Sequence, residues 1–392
     1  MIQDKKPFCW APWVSLTYNA IRHGGSAEPC CEWRGNQTSL KNFFQGSATE
    51  YLKSDWLKNI KQVMLNHDMS VISKTCEECI IEESVGNNSS RMDYHNNIKN
   101  GEWSTEGLHF LDFRPGNTCN LKCRMCSAPN SSMIEEEQGL NLYSMDVSDI
   151  TKLDFSNIKV IKILGGEPSI DPKVSEFLDY LEKNFYRPDD VIIRMTTNCT
   201  NVNSKWLDRL SKWNKVSLNF SIDATGNIVE YIRSGCKWSV LERNIEILKK
   251  HSWKWQYNVT TGMYNFPVIE KWLPYFIENI QEVDIINEKY KESKMVKTSM
   301  GPEDVVTYMS IITPHALSLK ALPDKIKNEK LEWLSGFKSN YVEKIINVFN
   351  QYNYDPLYLE KFKKFTIKYD KLRGTNIHDL DPIFTRLMEW KT

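Results

Sequence analysis

Eight of the ten cysteines fall within the first 126 of 392 residues, and three of them stand in one run, Cys119-Asn-Leu-Lys-Cys123-Arg-Met-Cys126. That clustering limits what the chain can fold around. The N-terminus reads MIQDKKPFCWAPW and holds no apolar stretch before a small-residue cleavage site, so no export signal is expected. No apolar run approaches the ~18 residues that span a bilayer, so no membrane association is expected either. The expected setting is the cytoplasm, where thiols stay reduced and disulfides are the lesser use of cysteine. Clustered thiols in that setting read first as ligands of a metal or an iron–sulfur cluster.

The thiols form two sets. One is the triplet. The other is Cys9, Cys30, Cys31 and the pair Cys76-Glu-Glu-Cys79. A C-x2-C pair also builds zinc knuckles, so a structural zinc stays open for Cys76 and Cys79. The triplet differs. No His or fourth Cys follows it at finger spacing, whereas a structural zinc takes four closed ligands. Lys plus Arg and Asp plus Glu each number 50, so the formal charge is zero. A protein held to nucleic acid by bulk charge is therefore not expected. Hydrophobic content of 41% excludes a wholly disordered chain.

Residues 1–104 are short mixed segments rich in Asn, Ser and Gly, with one helical stretch over Ser47–Met64. Trp10, Trp13, Trp33 and Trp56 read as the core of a small N-terminal domain, and Val85–Arg91 as a turn or loop. From residue 105 the texture changes. β-rich runs at Leu108–Arg114, Val160–Gly165, Val191–Thr197, Val216–Asp223, Gln256–Gly262 and Val283–Asn287 alternate with helical patterns such as Ser175–Lys183 and Val240–Lys250. Alternation of this kind predicts an α/β fold with a parallel sheet. Six units are too few for a closed eightfold barrel, so a partial (β/α)6 barrel over 105–290 is expected. The segment 291–392 reads as a mainly helical cover with one further strand at Val305–Ile312.

In such barrels chemistry collects at the C-terminal ends of the strands. The triplet follows the first run, Gly165-Gly166-Glu167-Pro168 ends the second, Thr197-Asn198 the third and Ser221-Ile-Asp223 the fourth. Four polar features therefore fall on one rim.

These residues resemble the radical S-adenosylmethionine (SAM) superfamily. LDFRPGNTCNLKCRMC, then GGEP, then SIDATG carry the resemblance over about residues 105–290. The N-terminal F-C-x-x-P-W, Pro-Cys-Cys-x-Trp and Cys-x2-Cys-x3-Glu patterns are further similar to a subgroup with an N-terminal twitch, or SPASM-like, module for an auxiliary cluster. The resemblance implies that Cys119, Cys123 and Cys126 hold a [4Fe–4S] cluster through three irons, with SAM on the fourth. It implies an auxiliary [4Fe–4S] cluster on Cys9, Cys30, Cys76 and Cys79, with Cys31 the alternative to Cys30. Adjacent residues of an extended strand point oppositely, so only one of Cys30 and Cys31 is expected to ligate, and Cys30 is preferred.

The resemblance also assigns cofactor contacts. Gly165 and Gly166 would let the backbone approach SAM, and Glu167 would add a carboxylate near its ammonium, the other reading being a solvated loop residue. Ser221 and Asp223 would bond the ribose or the polar tail, with a helix N-cap the other reading of Asp223. Arg233 would pair with the SAM carboxylate through two donors, against a surface salt bridge, and Asn198 would contact SAM. Met125 stands where the superfamily often has an aromatic residue and can pack on adenine. Cys199 stands where Gly is commoner. It and Cys236 are candidate hydrogen donors, with an inert buried thiol the stronger reading.

The implied function is an oxidoreductase-type radical SAM enzyme with a peptide or protein side chain as substrate, because an auxiliary module often accompanies peptide modification. A small-molecule substrate such as a sugar or nucleotide derivative is the alternative. A non-catalytic iron–sulfur electron carrier is the weakest reading, since a carrier needs none of the rim features. A flavodoxin or ferredoxin is the implied reductant.

Overall fold

The computed structural model describes residues 6–21, 25–34, 43–84, 88–142, 147–278, 306–310, 314–337, 340–350 and 352–391. The strands among them are β1 (Ser15–Asn19), β2 (Ser26–Glu28), β3 (Phe44–Gln45), β4 (Phe110–Arg114), β5 (Lys122–Cys123), β6 (Val160–Ile163), β7 (Ile192–Thr197), β8 (Lys215–Ser221), β9 (Arg233–Ser234), β10 (Lys254–Thr261) and β11 (Val306–Ser310). Nine form one sheet in the order β11-β10-β8-β7-β6-β4-β1-β2-β3. β1, β4, β6, β7, β8, β10 and β11 run parallel. β2 and β3 close one edge antiparallel.

Strand alternation assigns the two faces. Phe113 packs on Phe177 of the helix Pro172–Asn184, ring centroids 4.9 Å apart, so that face of β4 meets the outer helices. Val174, Phe177, Leu178 and Leu181 line the buried side of that helix at i, i+3, i+4, i+7 spacing, and Asp171 caps it through Lys173 N. The opposite face carries polar groups. Asp112, Lys162 and Arg194 are direct register partners across β4, β6 and β7.

Two differences from the sequence expectation stand out. The run Val283–Asn287 lies outside the described residues, and the strand that pairs with β10 is β11, at 306–310. The parallel sheet therefore extends into the segment assigned by pattern to the helical cover. At the other end β1 joins β4 in parallel, so the N-terminal segment supplies a barrel wall. Leu16, Tyr18, Ala27, Tyr51 and Leu57 belong to the barrel's core, while Cys9, Trp33, Ile60, Ile72, Tyr94 and Trp103 form a second core. Trp33 is buried there, and Trp10, Trp13 and Trp56 pack against it. The helical stretch over Ser47–Met64 breaks into Ala48–Lys53 and Asp55–Asn66. Ser54 ends the first and caps the second through Leu57 N. Of the expected loop Val85–Arg91, residues 85–87 lie outside the described residues, and Ser90 and Arg91 already belong to the helix Ser90–Lys99, which Ser89 caps through Met92 N.

The C-terminal segment is helical as expected, with Asp324–Ser335, Asn340–Asn350, Pro356–Arg373 and Pro382–Glu389. Among the described residues no helix is long and apolar enough to cross a membrane.

Candidate functional site

The triplet sits on the loop that leaves β4. Its middle, β5, pairs antiparallel with β9, which sets Cys123 opposite Arg233. Ser131 and Ser132 clamp the loop from its far end. Ser131 Oγ donates to Leu121 O at 2.7 Å, and Cys119 N donates to Ser132 Oγ at 3.1 Å. Burial pushes the Cys123 thiol up, and the Cys126 and Cys119 thiols add to this while Arg233 opposes it. Burial likewise pushes Cys126 up to about 11 and raises Cys119. Three thiols, Cys123 buried and Cys119 and Cys126 half-buried, thus lie within mutual electrostatic reach. Such thiols ionise only against strong positive charge, which cluster irons supply. The donor set therefore fits a [4Fe–4S] cluster held by three ligands. Met125 lies half-buried between Arg124 and Cys126, packed on the barrel core.

Gly165 and Gly166 lie against this loop. Gly165 has φ 127°, and a Cβ there would stand 2.5 Å from Gly116 O. A Cβ on Gly166 would overlap Thr118 O. Gly166 N and Glu167 N donate to Gly116 O and Thr118 O at 3.1 and 2.7 Å. The close approach that excludes a side chain is thus to the cysteine loop itself.

Glu167 is neither solvated nor free. It is 1% exposed. Its carboxylate accepts from Asn198 N at 2.6 Å, Thr197 Oγ1 at 2.8 Å and Ser169 N at 3.1 Å. Burial raises its pKa against these three donors. It fastens the turn after β6 to the end of β7. Asn198 continues the connection, donating through Nδ2 to Asn120 Oδ1 at 3.0 Å in the cysteine loop.

Asp223 and Arg233, both buried, and the half-buried Ser221 form one group behind Cys123. Arg233 Nε donates to Asp223 Oδ2 at 2.6 Å and Nη2 to Ser221 Oγ at 2.9 Å. Its Nη1 points at Cys123 Sγ at 3.9 Å. All three nitrogens face protein groups, with Asp223 as the ion-pair partner. That pair is not on the surface. Asp223 is no N-cap, because its other oxygen accepts from Thr260 N at 3.0 Å and the N-cap of the helix Gly226–Ile232 is Thr225.

Cys199 is fully buried with φ 60°, the left-handed region that glycine prefers, and its thiol faces Thr197 O at 3.8 Å. Cys236 is buried with its thiol on Val229 O at 3.6 Å.

The second thiol set also converges. The Cys30 thiol, raised by burial, lies within electrostatic reach of Cys31, Cys9, Cys76 and Cys79, and the Cys9 thiol within reach of Cys76 and Cys79. Cys31 faces elsewhere. Burial pushes it up to about 12, and its charged neighbours are Lys162, Glu32, Asp112 and Arg114 on the inner side of the sheet. Glu83, Ser89 and Arg91 brace this module. Glu83 accepts from Ser89 Oγ at 2.5 Å and is ion-paired with Arg91. Among the described residues no three His, Cys, Asp or Glu side chains are close enough to hold a single metal ion.

Motif spacing misses the residues that anchor the cysteine loop from outside. Arg124, inside the triplet, is 2% exposed and lies 3.7 Å over the Tyr231 ring. Its Nη2 donates to Asp370 Oδ1 at 2.6 Å and Thr375 Oγ1 at 2.7 Å. Arg373 holds Glu137 by two bonds, 3.1 and 2.8 Å, and Lys122 O at 2.6 Å. The one local signal was a cation placed between two expected ligands.

Residues 113–272 match the family described as the radical SAM superfamily. No curated protein matches the chain. Among solved structures it is similar to anSMEcpe with bound AdoMet, at 19% identity over 67% of this chain and 66% of that one, TM-score 0.40. It is also similar to Streptococcus suis SuiB bound to S-adenosylmethionine, at 15% identity over 83% and 70%, TM-score 0.37. A third likeness is to TsrM, a radical S-adenosylmethionine methyltransferase from Kitasatospora setae, at 12% identity over 43% and 31%, TM-score 0.31. The match spans just under two thirds of the anSMEcpe chain, at 66%.

Proposed function

We propose that the chain reductively cleaves SAM and abstracts hydrogen from a peptide or protein side chain, with Cys119, Cys123 and Cys126 holding the SAM cluster. When bound, the cluster and SAM supply the electron and the sulfonium from which a 5′-deoxyadenosyl radical is made. The observation that carries this reading is the gathering of three thiols, Cys123 buried and Cys119 and Cys126 half-buried, on the C-terminal rim of a parallel sheet, with a guanidinium 3.9 Å behind the middle one. Arg233 holds its charge toward Cys123 and favours the thiolate. Asp223 and Ser221 keep that guanidinium oriented. Glu167 and Asn198 tie the rim of β7 to the loop, so the three thiols keep one arrangement.

The peptide reading rests on the second thiol set. Cys9, Cys30, Cys76 and Cys79 would hold an auxiliary [4Fe–4S] cluster, closed by four ligands and suited to passing electrons. A twitch-like module of this kind, a flavodoxin or ferredoxin reductant and a cytoplasmic setting belong to the same proposal. All ten cysteines are free, as a reducing compartment requires.

Anaerobic reconstitution with iron and sulfide, followed by reductant and SAM, tests the reaction. 5′-Deoxyadenosine should form well above a Cys123→Ala control, and equal amounts in both would end the enzyme reading. A short peptide encoded beside the gene should change mass in the same mixture. A sugar nucleotide changing in its place would move the substrate to the small-molecule class.

A further inference from the structure

A cavity of about 360 Å³ lies between the inner face of the sheet and the helix Ser90–Lys99. Phe110, Val160 and Ile192, the first residues of β4, β6 and β7, line it. It therefore sits at the N-terminal ends of the strands, the opposite end from the cysteine triplet.

Arg194 reaches this cavity from β7 and is 4% exposed. Among the described residues no hydrogen bond or ion pair reaches its guanidinium, and its Nε is buried without a partner. Its register neighbour Lys162 is a like charge, and Asp112 beyond it is already held by Lys162 and Arg114, each at 3.1 Å. Burial pulls the Arg194 pKa down, the cost of an unpaired buried charge. On the facing helix Asp93 accepts from Asn88 through Oδ1 at 2.6 Å, but its Oδ2 is buried and unpartnered. A cation and an unfilled acceptor thus line one cavity without bonding each other. Buried polar groups are satisfied in nearly every protein, so two orphans in one cavity call for an occupant.

We infer that this cavity binds a carboxylate with a hydrogen-bond donor beside it, the carboxylate on Arg194 and the donor on Asp93. The guanidinium fork matches a carboxylate through two parallel bonds. Glu32, Glu102 and Asp190 share the lining with Lys159, Lys162 and Lys215, so the charges around Arg194 and Asp93 balance and no surplus positive charge favours a doubly charged phosphate over a carboxylate. Tyr94, Trp103 and Phe110 offer an apolar wall, with Tyr94 6.0 Å from Trp103 and 6.2 Å from Phe110 by ring centroid. A carboxylate, an amide or amine donor and an apolar body together are the chemistry of an amino acid, free or at a peptide terminus. The site stands apart from the radical chemistry, and its occupancy can be read without turnover.

Calorimetric titration of the full, cluster-loaded chain tests it, with N-acetylphenylalanine, its carboxamide and inorganic phosphate as probes. The acid should bind at least tenfold more tightly than the carboxamide. Arg194→Gln should weaken the acid at least tenfold and bring the two probes together, with Arg194→Lys between. The melting temperature of Arg194→Gln should hold or rise, because an uncompensated charge is removed. A tripeptide ending in phenylalanine binding more tightly than the acetylated residue assigns a peptide terminus, and equal binding assigns a free acid. Equal binding of acid and carboxamide, tighter binding of phosphate, an unaltered Arg194→Gln, or a fall in its melting temperature would each overturn the proposal. Absence of 5′-deoxyadenosine would bear on the radical reading alone.

Discussion

Cys199 occupies a backbone position with φ 60°, which costs a residue with a Cβ about 1 kcal/mol relative to glycine. Its sequence context, Thr-Thr-Asn-Cys-Thr, already marked the place as one where glycine is commoner, and the torsion supplies the physical reason. Cys199→Gly and Cys199→Ala both lose the sulfur, so their difference isolates the strain. Urea unfolding should find the glycine variant more stable than the alanine variant by about 1 kcal/mol, and parity would mean the position carries no strain. Asp93 offers a test by pH. Burial raises its carboxyl from 3.8 to about 6, with Asn88 and Arg194 opposing. The folded state then holds this proton more tightly than the unfolded chain. Its contribution favours folding less as pH rises from about 4 to about 6, and stays lost above that. The melting-temperature advantage of Asp93→Asn over the wild type should therefore grow from pH 5 to pH 7. A constant difference would contradict the raised carboxyl.

Between elements, the helix Pro356–Arg373 and the cysteine loop depend on each other. Arg124 and Tyr231 both bond Asp370, and Asp370 also accepts from Ile377 N at 2.9 Å. Removing one partner of a buried pair leaves the other charge uncompensated, so Asp370→Ala should destabilise the chain by about 3 kcal/mol in urea unfolding. A loss below about 1 kcal/mol would make the pairing incidental. None of this is legible from spacing, because 246 residues separate Arg124 from Asp370. The strands themselves were legible. β4, β6, β7, β8 and β10 fall within two residues of the expected starts, because short β-rich runs between helical patterns have few other ways to be buried. The partner of β10 was not, since 306–310 read as an isolated strand and only pairing in space joins it to the sheet.

On the scale of the whole molecule, two thiol sets predict two separable iron populations. The reconstituted chain should hold about eight iron, four per cluster. Cys76→Ala should keep about four and still release 5′-deoxyadenosine, whereas Cys123→Ala should lose that product. About four iron with one zinc in the wild type would remove the auxiliary cluster. The cysteine sets, the strand–helix alternation and the shared rim were determined by sequence alone, because ligand spacing and hydrophobic period are local properties of a chain. What those rim residues do was decided by tertiary structure. Glu167 and Arg233 are the types that bind a polar cofactor, yet folding turns both inward, where buried charge must be satisfied by protein groups. The unpaired guanidinium of Arg194 belongs to the same class. Each depends on which side chains face one another across strands far apart in the chain, and no spacing along the sequence carries that.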